Sequence, residues 1–173
     1  MKKKYKKNRK KHILIAFGGD DPKSLVKKYF SFFYKLNFKK VFITNKKTFK
    51  ILKKFHGRNN VIIQKKEPKE KFLDILSKSI FYISTPSNIM FEAWSLGISG
   101  NVIPIQSRQQ RMGKVFEKLN IVNLLPFYKK LTMKKLQLKT QISFYNKRKK
   151  FMFDRKSAIA TQKKILDFFG GRV

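Results

Sequence analysis

The 173-residue chain contains no cysteine, two histidines and only nine acidic residues. Without cysteine there can be no disulfide, no thiolate metal ligand and no cysteine nucleophile, a composition that fits a reducing compartment. With His12 and His56 as the sole imidazoles, a zinc centre is not expected. Neither a metal nor any other cofactor is expected. Long apolar runs are also missing. The longest, such as residues 13–17, fall far short of the roughly 20 residues of a membrane-spanning helix. The same run is too short for the core of a signal peptide, although the basic stretch 2–11 imitates its leader. A cytoplasmic location is therefore expected, with peripheral contact at the inner face of the membrane as an additional expectation.

What the chain does hold is cation and aromatic carbon. Lys and Arg number 43, giving a formal net charge of +34, and 18 residues are Phe. A field of that size attracts polyanions without choosing among nucleic acid, anionic lipid and phosphorylated metabolites. The abundance of Lys, Phe, Ile and Asn also fits an AT-rich coding sequence, in which part of the charge is simply a solvated surface. A hydrophobic share of 42% supplies a core, so the charge does not imply disorder. The length suits one domain. Residues 1–12 read as a basic arm or the stub of an interdomain connection, and 13–173 as the folded domain.

Short β-rich apolar runs alternate with stretches of helical period, which is the sequence form of repeated βα units. Strands are predicted over 13–17, 40–44, 61–64, 80–83 and 102–105, with a weaker sixth over 121–124. Their near-continuous apolarity predicts burial on both faces. Leu25, Val26, Tyr29, Phe30, Phe33 and Leu36 recur at the spacing of a helix stripe, as do Phe72, Leu73 and Leu76, and again Met112, Val115, Phe116 and Leu119. Two further basic helices are predicted over 133–145 and 154–169. The fold class expected is α/β, a single Rossmann-like doubly wound parallel sheet.

Three loops follow predicted strands, on the side where open parallel sheets place their ligands. The first, Gly18-Gly19-Asp20-Asp21-Pro22, offers close backbone approach and free N–H groups for a phosphate, with Asp21 as a helix cap and Pro22 in the first helical turn. Turn chemistry alone also explains it. The second, Ser84-Thr85-Pro86-Ser87-Asn88, starts a helix on which Glu92 lies four residues past Asn88, its carboxylate leaning back toward the loop. A carboxylate there can accept both hydroxyls of a ribose; the plainer alternative is an ion pair with one of many lysines. Gly97 is expected to stop this helix in a left-handed turn. The third, residues 106–110, brings Arg108 and Gln109 to the same rim, or is an ordinary polar loop. His12 is expected to be exposed, and His56 to end a helix. Glu67, Glu70, Asp74, Glu117 and Asp167 read as surface pairing partners.

In this order the three loops, residues 15–22, residues 83–93 with Gly97, and Gln109 before a helix, resemble the C-terminal half of GT-B nucleotide-sugar enzymes. The likeness is to the UDP-sugar hydrolase of pseudaminic acid biosynthesis (the UDP-2,4-diacetamido-2,4,6-trideoxy-beta-L-altropyranose hydrolase) and to murein-type UDP-glycosyltransferases. That resemblance implies a diphosphate cradled by Gly18 and Gly19, phosphate contacts from Ser87 and Asn88, a ribose held by Glu92, and a sugar or phosphate contact from Gln109. It implies a UDP-sugar as ligand and no catalytic residue on this chain, because the family's N-terminal domain carries the proposed general base. A separate N-terminal-half polypeptide is accordingly an expected partner. The alternative reading is a basic protein that binds nucleic acid non-specifically or docks on a membrane surface.

Overall fold

The computed structural model describes residues 12–18, 21, 23–119 and 121–132. The helices predicted over 133–145 and 154–169 lie outside the described residues, as does the basic stretch 2–11. Six strands alternate with five helices: β1 His12–Ala16, α1 Leu25–Tyr34, β2 Lys39–Thr44, α2 Lys46–Leu52, β3 Val61–Lys65, α3 Lys69–Ser77, β4 Ser79–Ser84, α4 Asn88–Ser95, β5 Gly100–Val102, α5 Ser107–Lys118 and β6 Val122–Leu124. Short 3-10 turns over Lys53–Phe55 and Arg58–Asn60 connect α2 to β3.

All neighbouring strands pair in parallel, in the order β3-β2-β1-β4-β5-β6. This is the doubly wound arrangement, whose direction of winding reverses between β1 and β4. Alternation along each strand divides the core in two. Ile13, Ile15, Phe17, Phe42 and Ile83 pack with Leu25, Val26, Tyr29 and Phe33 of α1 and Leu52 of α2. Leu14, Ala16, Val41, Ile43 and Tyr82 pack on the other face with Leu76 of α3, Ile89, Met90 and Ala93 of α4, and Val115 and Phe116 of α5.

Three local departures from the sequence expectation have physical causes. The fifth strand ends at Val102 rather than continuing to residue 105, because Pro104 has no N–H for the ladder. It begins at Gly100, where a Cβ would lie 2.4 Å from the Tyr82 carbonyl oxygen; only glycine admits so close an approach. His12 is buried, not exposed, since its register partner is Ser79 and its Nε2 lies 2.9 Å from Ser79 Oγ and 3.1 Å from the Ile75 carbonyl. Glu117 is not a surface pairing partner, because its Oε1 accepts the backbone N–H of Leu124 at 3.0 Å. The left-handed stop at Gly97 is present, with φ of +66°, and the Gly97 and Ile98 N–H groups return to the carbonyls of Trp94 and Ala93.

One buried cation was not anticipated. Lys40, at the start of β2, is fully buried and its Nζ donates to the carbonyls of Leu36, at 2.6 Å, and Tyr34, at 3.2 Å. The carbonyl end of α1 attracts a cation, while burial holds the ammonium below its ordinary pKa.

Candidate functional site

The strand order places a crevice at the carboxyl ends of β1 and β4, where their following loops diverge to opposite sides of the sheet. A cleft of about 510 Å³ opens there. Its floor is Ala16 and Ile43, one wall is Ser87, Asn88, Ile89 and Glu92, and the other is Lys66, Glu67, Lys69 and Phe72, with Gly18 at the rim. Residues far apart in the sequence thus meet because the topology reverses at this point.

Space exists here because Ala16 is small. On the opposite face of the same strand segment Phe17 fills the corresponding volume, buried to 1% exposure. Gly18 follows with φ of +76° and nothing within 4 Å of the place a Cβ would take. The glycine is required by the left-handed turn, and the space beside it is open. Gly19, Asp20 and Pro22 lie outside the described residues.

Asp21 does cap α1, but from further away than the sequence implied. The helix begins at Leu25, not at Pro22, because Asp21 and Ser24 both adopt left-handed backbone, φ +42° and +48°, which interrupts helical propagation. The Asp21 carboxylate accepts from Leu25 N at 2.7 Å and from Val26 N at 3.1 Å. Burial of this carboxylate pushes its pKa up to about 6, outweighing the two backbone donors that pull it down. Two of the N–H groups at the start of α1 are therefore committed within the chain and are not free for an anion.

The donors left for an anion belong to the other helices. Both α3 and α4 begin at the cleft, and neither has a side-chain cap: Pro68 precedes α3, and the Ser87 hydroxyl at the start of α4 turns to the Thr85 carbonyl at 3.2 Å. Unsatisfied N–H groups at a helix start favour anions, and Lys66 and Lys69 stand on the same wall. Glu67 and Glu92 are the acids of the cleft. Glu92 is half-buried and sits one helical turn from Asn88, which puts it at the cleft rather than against a lysine; neither ion pair among the described residues includes it.

Beneath the opening runs a row of side chains across the sheet. Ala16 pairs with Ile43, and Ile43 with Gln64. On the other side, the Ile15–Ile83 pairing leaves Ser84 beside Ala16. The Ser84 hydroxyl and Gln64 Oε1 are buried without a hydrogen-bond partner among the described residues. A buried polar atom left unpaired costs about 1–3 kcal/mol, so the row beneath the floor has polar capacity that the described residues do not satisfy. A run of apolar residues ending in Ser at a strand's carboxyl end was the signal for Ser84; Gln64, inside the third strand, gave none.

Of the residues singled out from sequence, Gly18, Ser87, Asn88 and Glu92 line this one cleft. Gln109 is used locally, its Oε1 accepting the N–H of Ile105 at 2.9 Å, where it closes the loop before α5. His12 lies at the amino ends of the strands, away from the cleft, and His56 Nδ1 lies 3.2 Å from the backbone N of Ile63. Among the described residues no cluster of His, Cys, Asp or Glu could hold a metal ion, and no helix is long and apolar enough to cross a membrane.

No family model matches the sequence, and no curated protein matches it. Solved structures match the fold. MurG of Acinetobacter baumannii superposes with a TM-score of 0.64 at 14% identity, over 87% of this chain and 48% of its own. The glycotransferase of kitacinnamycin gives a TM-score of 0.64 at 14% identity, over 89% of this chain and 40% of its own. UDP-GlcNAc 2-epimerase from Neisseria meningitidis, solved bound to UDP-GlcNAc, gives 0.52 at 20% identity, over 92% of this chain and 45% of its own. The fold is thus that of one half of a GT-B protein, and the chain spans less than half the length of these neighbours.

Proposed function

We propose that this chain is the nucleotide-sugar-binding half of a GT-B enzyme, with a UDP-sugar as the ligand of the cleft. The observation that carries the reading is the meeting of Gly18 with Ser87, Asn88 and Glu92 at the point where the winding of the sheet reverses. In this reading Glu92 accepts the ribose hydroxyls, and the diphosphate lies between Gly18 and the start of α4, with Lys66 and Lys69 balancing its charge. Gly19 completes the diphosphate loop, and Gln109 reaches the sugar or phosphate only if its bond to Ile105 opens.

The reaction class follows from the ligand. Cleavage of the bond between the sugar's anomeric carbon and the diphosphate leaves negative charge on UDP, which helix-start N–H groups and nearby ammonium groups stabilise. Activating the attacking water or acceptor needs a base. Among the described residues Glu92 is committed to ribose, Glu67 is ion-paired with Lys71 at 3.8 Å, and both histidines are held elsewhere. A second domain or polypeptide therefore supplies that wall, and the chain alone turns over no UDP-sugar. Within this class the likeness of residues 15–22 and 83–93 favours the hydrolase of pseudaminic acid biosynthesis over a transferase.

Calorimetric titration tests the site. UDP should bind more tightly than inorganic diphosphate, and Glu92→Ala should remove that preference while thermal unfolding stays within about 1 kcal/mol of the parent, since a half-buried side chain with no ion pair is lost. Equal binding of UDP and diphosphate by the parent protein would sink the assignment of Glu92. Release of UDP from a UDP-sugar by the isolated chain would instead sink the half-enzyme reading.

A further inference from the structure

The charges are not spread evenly over the two faces of the sheet. From Pro22 to Lys66 the sequence has no acidic residue, and this stretch builds α1, α2 and the 3-10 turns that cover one face. Every described acid after Asp21 belongs to the stretch that covers the other: Glu67, Glu70, Asp74, Glu92 and Glu117. Compositional bias would add lysine to both faces alike and would not remove acids from one. On the first face, where no described acid is exposed, Lys27, Lys35, Lys47, Lys50, Lys54 and Arg58 are all exposed. Asp21, the acid that caps α1, is 3% exposed, with its carboxylate turned to the N–H groups of Leu25 and Val26 rather than to solvent.

An apolar side chain stands within this cationic surface. Ile51 is 40% exposed, and on the continuous turn from α2 into the first 3-10 turn it shares a stripe with Lys47, Lys50 and Lys54 at helical spacing. The aromatic rings of the same segment are turned inward: Phe49 and Phe55 are half-buried against the core, each with a lysine ammonium over it, Lys65 at 5.2 Å and Lys54 at 5.4 Å.

We infer that the α1–α2 face docks on the anionic surface of a lipid bilayer, with Ile51 entering the headgroup boundary and the surrounding lysines pairing with lipid phosphates. Charge complementarity selects an anionic partner. The choice of bilayer over nucleic acid rests on the side chains themselves. An exposed aliphatic group ringed by lysines gains from an acyl boundary and gains nothing from phosphates, whereas single-stranded nucleic acid is held by exposed aromatic rings, and here the rings are covered. This inference does not depend on the ligand assigned to the cleft.

Co-sedimentation of the full 173-residue chain with vesicles tests it. Vesicles of phosphatidylcholine containing about one third phosphatidylglycerol should bind, those of phosphatidylcholine alone should not, and added salt should weaken the binding. The triple variant Lys47→Gln, Lys50→Gln, Lys54→Gln should lower the partition coefficient on the order of 100-fold, from roughly five-fold per lysine at the surface. The charge-matched control Arg111→Gln, Lys114→Gln, Lys118→Gln on α5 should lower it far less. Ile51→Ser, which leaves the charge unchanged, should cost roughly five- to ten-fold on vesicles and nothing on a single-stranded oligonucleotide. Equal losses in the two triple variants would overturn the assignment of the face. A parent that binds the oligonucleotide and ignores the vesicles would replace the bilayer with a nucleic acid, and an Ile51→Ser protein that binds vesicles as well as the parent would overturn the entry of Ile51 into the headgroup boundary.

Discussion

The two faces of the sheet differ in what fills them. Under α1 and α2 the core is aromatic, with Phe17, Tyr29, Phe30, Phe33 and Phe42 buried and the Phe30 ring tilted against those of Phe42, at 5.3 Å, and Phe55, at 4.9 Å. Under α3, α4 and α5 it is largely aliphatic, and its row at the carboxyl end of the strands contains Ala16 and Ser84. Among the described residues the first face is filled to its edge and carries only positive charge outside. The second leaves a cleft at its edge and contains the acids. Large rings make a rigid support, because each contributes much buried area with few rotatable bonds. Small side chains leave room for a ligand. The contrast teaches that support and recognition were separated by strand parity: within β1, and the residue after it, Ile13, Ile15 and Phe17 serve one purpose and Leu14 and Ala16 the other.

The largest expected way to break this division is to hollow the aromatic face. Phe33 has 0% exposure and edge contacts with Phe32 at 5.3 Å and Phe42 at 6.2 Å. Phe33→Ala should destabilise the fold by about 3–5 kcal/mol, read as a lower midpoint in urea. If the two faces are independent in function, the fraction of protein that remains folded should still bind UDP with the parent affinity.

A smaller effect separates the faces by pH. Asp21 belongs to the support side, and its folded pKa of about 6 lies above the ordinary 3.8. A carboxyl raised on folding favours the folded state when neutral, so that stability is fully present below about pH 4 and is lost as pH rises through about 6. The size is up to about 3 kcal/mol, from 1.36 kcal/mol for each pH unit of the difference. Relative to Asp21→Asn, which keeps an oxygen acceptor for the helix start and does not titrate, the parent should lose stability across that window. Parallel curves for the two proteins would mean that the two N–H donors of α1 cancel the effect of burial. Vesicle binding, which depends on lysines, should not change across the same window beyond the response of the lipid.

Much of the support side could be read directly from sequence, and less of the recognition side. The βα order, the stripe on α1 and five of the strands were legible because apolar periodicity reports burial, and burial dominates in a sheet covered on both faces. The start of β5 was not, since Gly100 is required by the approach of Tyr82, a contact between residues far apart in sequence. The burial of His12 and Lys40 escaped for the same reason. Each is satisfied by carbonyls or hydroxyls that only the tertiary fold brings near. In the cleft, the nearness of Gly18 to Ser87, Asn88 and Glu92 followed from the rule for open parallel sheets. Lys66, Lys69 and Phe72 did not, because their wall depends on how α3 leans over the sheet. Gln109 looked like a rim residue, and in the structure its amide closes its own loop. Nor could composition reveal the segregation of acids, because a net charge carries no positions.

The smallest expected effect sharpens the comparison at its boundary, the row that ends in Ser84. Its hydroxyl is buried at 1% exposure with no partner among the described residues, and it stands beside Ala16, just beneath the lining of the cleft. On the support side an unsatisfied hydroxyl would be only a defect. Removing it should then stabilise the fold by roughly 1 kcal/mol, the cost of a buried group without a partner, and should leave binding unchanged. On the recognition side the same hydroxyl meets a water or a ligand oxygen when the cleft is occupied, so Ser84→Ala should give the same gain in stability and also a loss of roughly five- to ten-fold in UDP affinity, one hydrogen bond's net worth. Denaturant unfolding of the free protein measures the first quantity and calorimetric titration the second. A gain in stability with UDP affinity intact would assign Ser84 to packing alone and move the boundary of the site outward, to Gly18 and the start of α4.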